Sequence, residues 1–443
     1  MIKTFKGGVH PKEHKELTED YIIEECPLPD TLYISLFQHF GKPAKSIVNA
    51  GDTVEEGQLI AEADGFISAP IHAPVSGTVK KILRYPHLSG LMLETIQIER
   101  NKEATPKVWG HKNLDINKLT KEEFIKIVKE KGIVGLGGAG FPTYVKFMTK
   151  EDQHIDTILI NACECEPYLN IDYRVMLEDK EKFIEALKLI KQVSEVDQIV
   201  IGIEDNKPRA IDKLSLLLKS TPDIKVQAVK TKYPQGGEKM LVKAALGREV
   251  PRGGLPLDIG VIVLNVNTIL AIYDAVFCDK PILDKAITVS GLGINNPKNI
   301  RAKIGTVFAE ILEFCGQMKA STKRLIVGGP MMGFAQPNDQ ASVIKTTSGL
   351  LCLTKEEIGD PEISPCLRCG SCVEHCPMGL VPSEISKYVE YDRIDLATEV
   401  GLLDCIECGA CVFKCPSVRP IVQMVKLGKL KKRQLDAEKT KKG

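Results

Sequence analysis

The 443-residue sequence is poor in features that would assign it to several common classes of protein. Its 59 basic and 58 acidic residues leave a formal net charge of +1, so no overall field attracts nucleic acid or anionic lipid. Its most apolar window, 258–277, contains Asn265, Asn267 and Asp274, which makes it a poor membrane span. The first ten residues do not resemble a secretory signal. We expect a cytoplasmic protein that binds no nucleic acid and reaches a membrane only through partner proteins.

Cysteine, in contrast, is concentrated near the end of the chain. Two runs of the form C-x2-C-x2-C-x3-C-P contain eight of the fourteen cysteines. The pattern is typical of ferredoxins with two [4Fe–4S] clusters, in which the cysteine before proline crosses to the other cluster. It predicts one ligand set of Cys366, Cys369, Cys372 and Cys415, and another of Cys405, Cys408, Cys411 and Cys376. Zinc is the alternative, but it does not explain two identical runs each closed by Cys-Pro.

The first part of the chain indicates a small all-β unit. Short strands separated by glycine turns are predicted at 44–48, 59–63, 67–69, 73–79 and 94–98. The phrases at 51–57 (GDTVEEG) and 73–79 (APVSGTV) resemble the barrel-sandwich domains of lipoyl and biotinyl carriers. Those carriers place a modifiable lysine at a hairpin tip, and the matching stretch 62–68 (EADGFIS) has none. We therefore expect a scaffold rather than a swinging arm.

The middle of the chain alternates helices with apolar strands. Strands are predicted at 157–161, 198–204, 224–230 and 260–264, with helices at 181–192 and 238–246 between them. Such alternation predicts a parallel sheet covered by helices, with ligands at the carboxyl ends of its strands. The strand, turn, helix and strand pattern from 286 to 353 then fits a small β-grasp module. The expected fold class is multidomain α/β and α+β.

These patterns divide the chain into five parts. We predict a barrel-sandwich domain and linker at 1–113, a Rossmann-like α/β domain at 114–284, a β-grasp domain at 285–355, a ferredoxin-type domain at 356–425 and a basic tail at 426–443.

A glycine-rich loop, Gly135-Leu-Gly-Gly-Ala-Gly-Phe-Pro142, contains the motif G-x-G-x-x-G. A dinucleotide fingerprint follows a strand, whereas this loop follows a predicted helix at 120–131. Glycines nevertheless let backbone N–H groups approach a phosphate or a flat ring closely. Pro142 can begin the next helix and direct its N-terminus at an anion. A plain structural turn remains the alternative.

Four blocks carry a more specific resemblance. The loop G-x-G-G-A-G-F-P-T followed by a lysine is similar to the flavin loop of the NADH-oxidising subunit of respiratory complex I and of NAD-linked hydrogenases. Residues 161–167 (NACECEP), 233–238 (YPQGGE) and 265–268 (NVNT) resemble N-A-D-E-S-E-P, Y-x-x-G-E-E and N-V-E-T of the same family. With the order of its domains, the whole chain resembles the RnfC family. That family supplies the peripheral subunit of ion-translocating Rnf ferredoxin–NAD oxidoreductase complexes.

The resemblance implies the cofactors and the residues that bind them. FMN is expected at Gly135, Gly137, Gly138, Lys146, Asn161, Tyr233, Gly236, Asn265 and Thr268. NADH is expected to stack on Phe141 and to meet Glu166 and Glu238 at its nicotinamide end. Packing or salt-bridge roles remain open for Lys146, Phe141, Tyr233 and the two glutamates. No catalytic side chain is expected, because hydride passes between the cofactors.

Three departures from the complex I pattern leave the affinity for NADH open. Leu136 stands in place of arginine, Cys163 in place of aspartate, and Gly237 in place of the first glutamate of a pair. Cys163 and Cys165 are separated by one residue, and a disulfide between them would be strained. We expect both to be packing residues rather than a redox dithiol.

The implied function is that of an electron-transfer subunit of a membrane-bound ferredoxin:NAD+ oxidoreductase. It exchanges hydride with NAD(H) at FMN and single electrons through two [4Fe–4S] clusters. The implied partners are the other subunits of the complex, including membrane subunits and a ferredoxin-like subunit, and ferredoxin directly or indirectly. The implied place is the cytoplasmic side of the cell membrane.

Two other functions compete with this one. A soluble NADH-dependent reductase of the cobalamin reductase type carries its barrel-sandwich after the clusters, whereas here that segment comes first. A non-catalytic electron wire would bind no NADH, and Phe141, Glu166 and Glu238 together argue against it.

Overall fold

The N-terminal domain is a pair of small facing sheets. A computed structural model describes residues 3–112, 114–149, 153–359 and 362–442. The first strands are β1 Ile23–Glu25, β2 Thr31–Ser35, β3 Lys45–Ser46, β4 Thr53–Val54, β5 Leu59–Glu62, β6 Ile71–His72, β7 Gly77–Pro86 and β8 Met92–Arg100. One sheet has the order β2-β8-β7-β4 and the other β3-β5-β6, with an apolar core between them. This is the predicted barrel-sandwich.

The strand predicted at 67–69 does not form. Backbone N–H groups in this stretch donate to side chains instead of to a neighbouring strand. Asp64 N–H donates to Ser68 Oγ (3.0 Å), and Ala69 N–H donates to His39 Nε2 (3.0 Å). Pairing resumes two residues later, at β6.

The second domain is built on a parallel sheet of order β11-β10-β9-β12. All four predicted strands and the predicted helices are confirmed, with ends that differ by at most two residues. The helix before the glycine loop begins at a capping box between Thr120 and Glu123. The elements are α1 Lys121–Glu130, α2 Thr143–Phe147, β9 Thr157–Ala162, α3 Ile171–Glu178, α4 Lys180–Ser194, β10 Gln198–Glu204, α5 Pro208–Leu217, β11 Ile224–Val229, α6 Glu238–Leu246, β12 Val261–Asn265 and α7 Val266–Phe277.

The third domain is a mixed sheet with one helix packed on it. Its elements are β13 Asp284–Ser290, β14 Lys298–Lys303, α8 Phe308–Phe314, β15 Thr322–Val327, β16 Phe334–Gln336 and β17 Gly349–Thr354. The sheet order is β1-β14-β13-β17-β15-β16, so strand β1 from the N-terminal segment forms one edge. Asn299 holds that segment by donating to the carbonyls of Thr18 (2.7 Å) and Tyr21 (3.0 Å). The division predicted at residue 113 therefore separates β1 from the sheet in which it pairs.

The last domain is helical. Its helices are α9 Lys355–Ile358, α10 Ser371–Glu374, α11 Pro382–Glu390, α12 Ile394–Glu399, α13 Ala410–Phe413 and α14 Ile421–Lys442. Helix α14 packs through Val425 on the small core around Ile385 and Val389, and it continues through the division predicted at residue 425. Within the described ranges, no helix combines the length and apolar content needed to cross a bilayer.

Two lysines join parts of the chain that are distant in sequence. Lys345 of the β-grasp domain is buried, and its Nζ donates to the carbonyls of Pro70 and Gly132 (both 2.8 Å) in the other two domains. Burial lowers its pKa to about 7. Lys15 lies in the N-terminal arm, by which we mean residues 3–18. Its Nζ donates to the carbonyls of Glu164 (2.8 Å) and Glu166 (2.9 Å).

Candidate functional site

A cavity of about 630 Å³ lies at the carboxyl ends of β9 and β12, where ligands of a parallel sheet are expected. Its size suits a cofactor or small ligand. The parallel-sheet domain, the β-grasp domain and the second cysteine run all contribute to its wall. Eight of the predicted FMN and NADH residues line it: Gly137, Gly138, Asn161, Glu166, Tyr233, Gly236, Glu238 and Asn265.

The glycine loop is fixed from behind by side chains of the domain. Leu136 N–H donates to Thr268 Oγ1 (3.0 Å), and the Leu136 carbonyl accepts from Lys285 Nζ (2.9 Å). A Cβ on Gly137 would lie 2.3 Å from Asn265 Nδ2, so the loop rests directly on that amide. A Cβ on Gly138 would meet no protein atom within 4 Å. Gly138 is therefore the place where a flat ring can approach the backbone.

Asn265 connects the loop to a buried carboxylate that the sequence analysis missed. Its Nδ2 donates to Asp172 Oδ2 (2.8 Å), and Asn267 Nδ2 donates to Asp172 Oδ1 (2.5 Å). Burial raises the pKa of Asp172, while Lys285 and the two amides oppose the rise. On the other side of the cavity, Asn161 Nδ2 donates to the Gly236 carbonyl (2.7 Å). The amides thus hold the wall, and the only sequence signal for Asp172 was its place at the start of a helix.

Glu166 joins the cavity to the β-grasp domain. Its carboxylate accepts from the backbone N–H groups of Met331 (3.0 Å) and Met332 (2.9 Å). Burial raises the pKa of Glu166 to about 7, and these two donors oppose the rise. A Cβ on Gly329 would lie 2.2 Å from Glu166 Oε2, so glycine is required for this contact. The carboxylate fixes the 329–332 loop against the cavity, a role the sequence did not indicate.

Four of the predicted residues do not line the cavity. Thr268 supports the loop as described, and Gly135 closes it by donating its N–H to the Phe141 carbonyl (2.9 Å). The Phe141 ring faces Phe40 of the barrel-sandwich, with centroids 6.1 Å apart. Lys146 Nζ donates to the Val263 carbonyl (2.8 Å) and lies 3.4 Å from Glu238 Oε1. These residues surround the cavity, and their contact with a cofactor stays a prediction.

Cys163 and Cys165 point at separate backbone groups. Cys163 Sγ donates to the Gly202 carbonyl (3.3 Å), and Cys165 Sγ accepts from Gly236 N–H (3.2 Å). Burial is the main cause that raises the pKa of each thiol. This arrangement agrees with the expected packing role.

Tyr233 connects the cavity to the second cysteine run. Its side chain is buried, and its hydroxyl donates to the carbonyl of Cys408 (2.7 Å). Val9, Cys408 and Ala410 pack with it in one apolar cluster. Cys408 itself lines the cavity.

The cysteine before the first proline lies with the second run, as the crossover arrangement requires. Burial raises the pKa of Cys408 to about 11, and the charges of Cys405 and Cys376 add to the rise. Cys376 acts in the same direction on Cys405 and Cys411. The neighbourhood supports the set of Cys376, Cys405, Cys408 and Cys411 as ligands of one cluster.

The two cysteine runs share one backbone shape. Arg368 and Glu407, each just before the second cysteine, have φ of 56° and 58°, and Gly370 and Gly409 both have φ of 79°. Ser417 Oγ donates to the Pro365 carbonyl (2.9 Å), which brings the first run to Cys415. All eight cysteines are free thiols in segments of this repeated shape, which suits the wrapping of a cluster. In the described part of the chain, no three His, Cys, Asp or Glu side chains are compact enough to hold a single metal ion.

The two runs differ in exposure. Cys366 and Cys369 of the first run are exposed, whereas Cys408 and Cys411 of the second are buried. The second run lies inside the molecule at the cavity, and the first faces outward.

Comparisons with known families agree with this architecture. Family models match the RnfC barrel-sandwich hybrid domain at 3–103, the Nuo51 FMN-binding domain at 128–274, the SLBB domain at 286–335 and a 4Fe-4S dicluster domain at 361–419. The dicluster match decides between iron–sulfur and zinc.

Relatives match over nearly the whole chain. The RnfC-type component of the proton-translocating ferredoxin:NAD(+) oxidoreductase complex of Clostridium ljungdahlii is 45% identical over 432 residues, covering 96% of this chain and 93% of the relative. Its counterpart in the Na(+)-translocating complex of Acetobacterium woodii is 40% identical over 440 residues, covering 99% and 98%. A crystal structure of an air-oxidized NAD+-reducing [NiFe]-hydrogenase shares the fold with a TM-score of 0.51 at 16% identity, covering 70% of this chain and 63% of the hydrogenase chain.

Proposed function

Since the chain belongs to the RnfC family of ion-translocating ferredoxin:NAD+ oxidoreductase complexes, we propose a route by which electrons cross it. The chain is an oxidoreductase subunit whose cofactors are FMN and two [4Fe–4S] clusters, with NAD(H) as substrate. In our proposal the cavity holds FMN with NAD(H) beside it. Bound FMN converts between the two electrons of a hydride and the single electrons of a cluster.

The residues of the cavity divide the work of binding. Gly138 leaves room for the flavin, and Gly137 lets the loop rest on Asn265. Asn161 and Gly236 shape the opposite wall. Glu166 and Glu238 remain the groups we propose for the nicotinamide end, and both line the cavity. Phe141, Lys146, Gly135 and Thr268 act around this wall, and we propose that Phe141 meets NADH from the side of Phe40.

The observation that carries the route is the position of Cys408. It lines the cavity and accepts the hydrogen bond of Tyr233, so the cluster on the second run is the one next to the flavin. We propose that Cys405, Cys408, Cys411 and Cys376 hold this inner cluster. The outer cluster then belongs to Cys366, Cys369, Cys372 and Cys415, and exposed Cys366 and Cys369 make it the point of exchange with a partner.

The partners follow from the family. The relatives are named as subunits of multi-subunit complexes. We propose that this chain assembles with the other Rnf subunits, including membrane subunits and a ferredoxin-like subunit, on the cytoplasmic side of the membrane. Ferredoxin would exchange electrons with the complex directly or through that subunit. The cobalamin reductase alternative loses support, because the RnfC barrel-sandwich match precedes the clusters.

The test is to add NADH to the purified, reconstituted protein without oxygen. We expect about eight iron atoms per chain for two [4Fe–4S] clusters, and NADH should bleach both flavin and cluster absorbance. Bleaching of neither would refute the NADH site and favour the electron-wire alternative. Bleaching of the flavin alone would refute the route through Cys408.

A pair of variants tests the order of the clusters. Cys366→Ser removes a ligand of the outer cluster, so NADH should still reduce the flavin and the remaining cluster. Cys408→Ser removes a ligand of the inner cluster, so NADH should reduce the flavin while electrons no longer reach the outer cluster. The reverse result would place the first run next to the flavin.

A further inference from the structure

The N-terminal arm, residues 3–18, runs between the flavin domain and the cysteine loops. At its start, Lys3 pairs with Val229 at the end of β11, and Lys3 Nζ donates to the Ala245 carbonyl (2.9 Å). Further along, Val9 and Tyr233 exchange both backbone hydrogen bonds (2.8 and 2.9 Å). The arm is thus fixed to the flavin domain on both sides of its glycine pair, Gly7 and Gly8.

That glycine pair contacts the loop of the crossover cysteine. Gly8 N–H donates to the carbonyl of His375 (2.9 Å), the residue before Cys376. A Cβ on Gly7 would lie 2.7 Å from the Cys376 carbonyl oxygen, and a Cβ on Gly8 would lie 2.6 Å from the Tyr233 carbonyl oxygen. Both glycines have φ of 77°, a conformation that other residues rarely adopt. Neither the conformation nor the space admits a side chain.

We propose that Gly7 and Gly8 are positioning residues for the inner cluster, because they hold the backbone of Cys376 at a fixed place beside Tyr233. The inference rests on the proposed function, since it takes Cys376 as a ligand of the cluster next to the cavity. Tyr233 is bound at its backbone by Val9 and at its hydroxyl by Cys408. The arm and this tyrosine therefore hold the crossover ligand and a ligand of the second run as one unit.

The physical consequence is local to one cluster. Hydrogen bonds and solvent exposure around the ligands set the potential of an iron–sulfur cluster. The arm covers the Cys376 backbone with a tight glycine contact, and Val9 contributes to the apolar cluster around Cys408. Moving the arm should change the surroundings of the inner cluster. The outer cluster, with its exposed Cys366 and Cys369, should not change.

The experiment is a redox titration of the Gly7→Ala holoprotein with chemical mediators, followed by electron paramagnetic resonance. We expect a shifted midpoint potential and spectrum for one cluster. In the Cys366→Ser background, which retains the inner cluster, the shift should remain. Gly51→Ala is the matched control, because Gly51 has φ of 97° but a Cβ there meets nothing within 4 Å. This control should leave both clusters at their wild-type potentials.

Val9→Ala is a second variant, which keeps the glycine backbone and removes only apolar contact with Tyr233 and Cys408. It should shift the same cluster less. Wild-type potentials in both variants would overturn the proposal, as would equal shifts of both clusters. If Gly7→Ala does not fold, an unshifted Val9→Ala overturns it alone. The mediators reduce the clusters without NADH, so a wild-type protein that NADH cannot reduce would refute the proposed function and leave this inference standing.

Discussion

Replacing Gly138 by alanine separates flavin binding from folding. Gly138 lies in the cavity wall, and a Cβ built on it meets no protein atom within 4 Å. Its backbone is outside the left-handed region, so alanine adds no strain. The flavin-free protein should therefore accept the methyl group, whereas a bound ring in contact with this backbone should not.

The two expected effects have opposite signs. Forcing a methyl group into a packed contact costs about 1–3 kcal/mol. Since about 1.4 kcal/mol corresponds to a tenfold change in affinity, FMN should bind roughly 5- to 150-fold more weakly. Glycine-to-alanine changes at compatible positions stabilise proteins by about 0.4–1 kcal/mol through the unfolded state. The unfolding free energy of the flavin-free protein should stay equal or rise.

The assay is titration of flavin-free protein with FMN, followed by quenching of flavin fluorescence, together with urea unfolding. Gly110→Ala is the matched control, because Gly110 also has open space around its Cβ position and no positive φ, but it lies outside the cavity. Gly137→Ala should instead lose both stability and FMN, because its Cβ would lie 2.3 Å from Asn265 Nδ2. Wild-type affinity for FMN in Gly138→Ala would refute the placement of the flavin.

Three other perturbations give distinct results. Tyr233→Phe leaves the buried Cys408 carbonyl without its donor, so the unfolding free energy should fall by about 1–3 kcal/mol and the inner-cluster potential should drop; no change in urea unfolding or in redox titration would contradict this. Lys345 has a pKa of about 7 in the fold against 10.5 ordinarily, so only the unfolded chain binds its proton between those values. Stability should therefore rise with pH across this window by up to about 1.4 kcal/mol per unit, and Lys345→Met should remove that part of the slope in urea unfolding at pH 7.5 and 9; an unaltered slope would count against a buried neutral amine. Cys376→Ser should reduce the iron content toward about four atoms by loss of the inner cluster, and loss of the outer cluster instead would contradict the crossover.

The features that sequence predicted well are those that local pattern determines. The strands at 198–204 and 224–229 are continuous apolar runs between amphipathic helices, and this periodicity does not depend on distant residues. The doubled cysteine run likewise fixes its own backbone shape, as the matching φ values of Gly370 and Gly409 show. The predicted cavity residues at strand ends also meet, because parallel strands bring their carboxyl ends to one edge.

What sequence did not predict depends on contacts between distant segments. Lys15 supports the wall of the cavity through carbonyls about 150 positions away, and no local pattern marks it. Strand β1 joins the β-grasp sheet through β14, although its own three residues carry little strand signal. Glu166 was expected to face only the nicotinamide, yet the donors it accepts come from Met331 and Met332 of another domain.

The arrangement of the chain around the inner cluster follows from these distant contacts. Gly7, near the start, touches the carbonyl of Cys376, and Cys408 lies beside Tyr233 in the middle of the sequence. The wall between flavin and cluster is therefore complete only when the first and the last domains are both in place. A two-electron carrier and a one-electron carrier must be held at a fixed separation for transfer between them. Joining their supports through the arm makes that separation a property of the whole fold, and no single domain of this chain contains all the residues that set it.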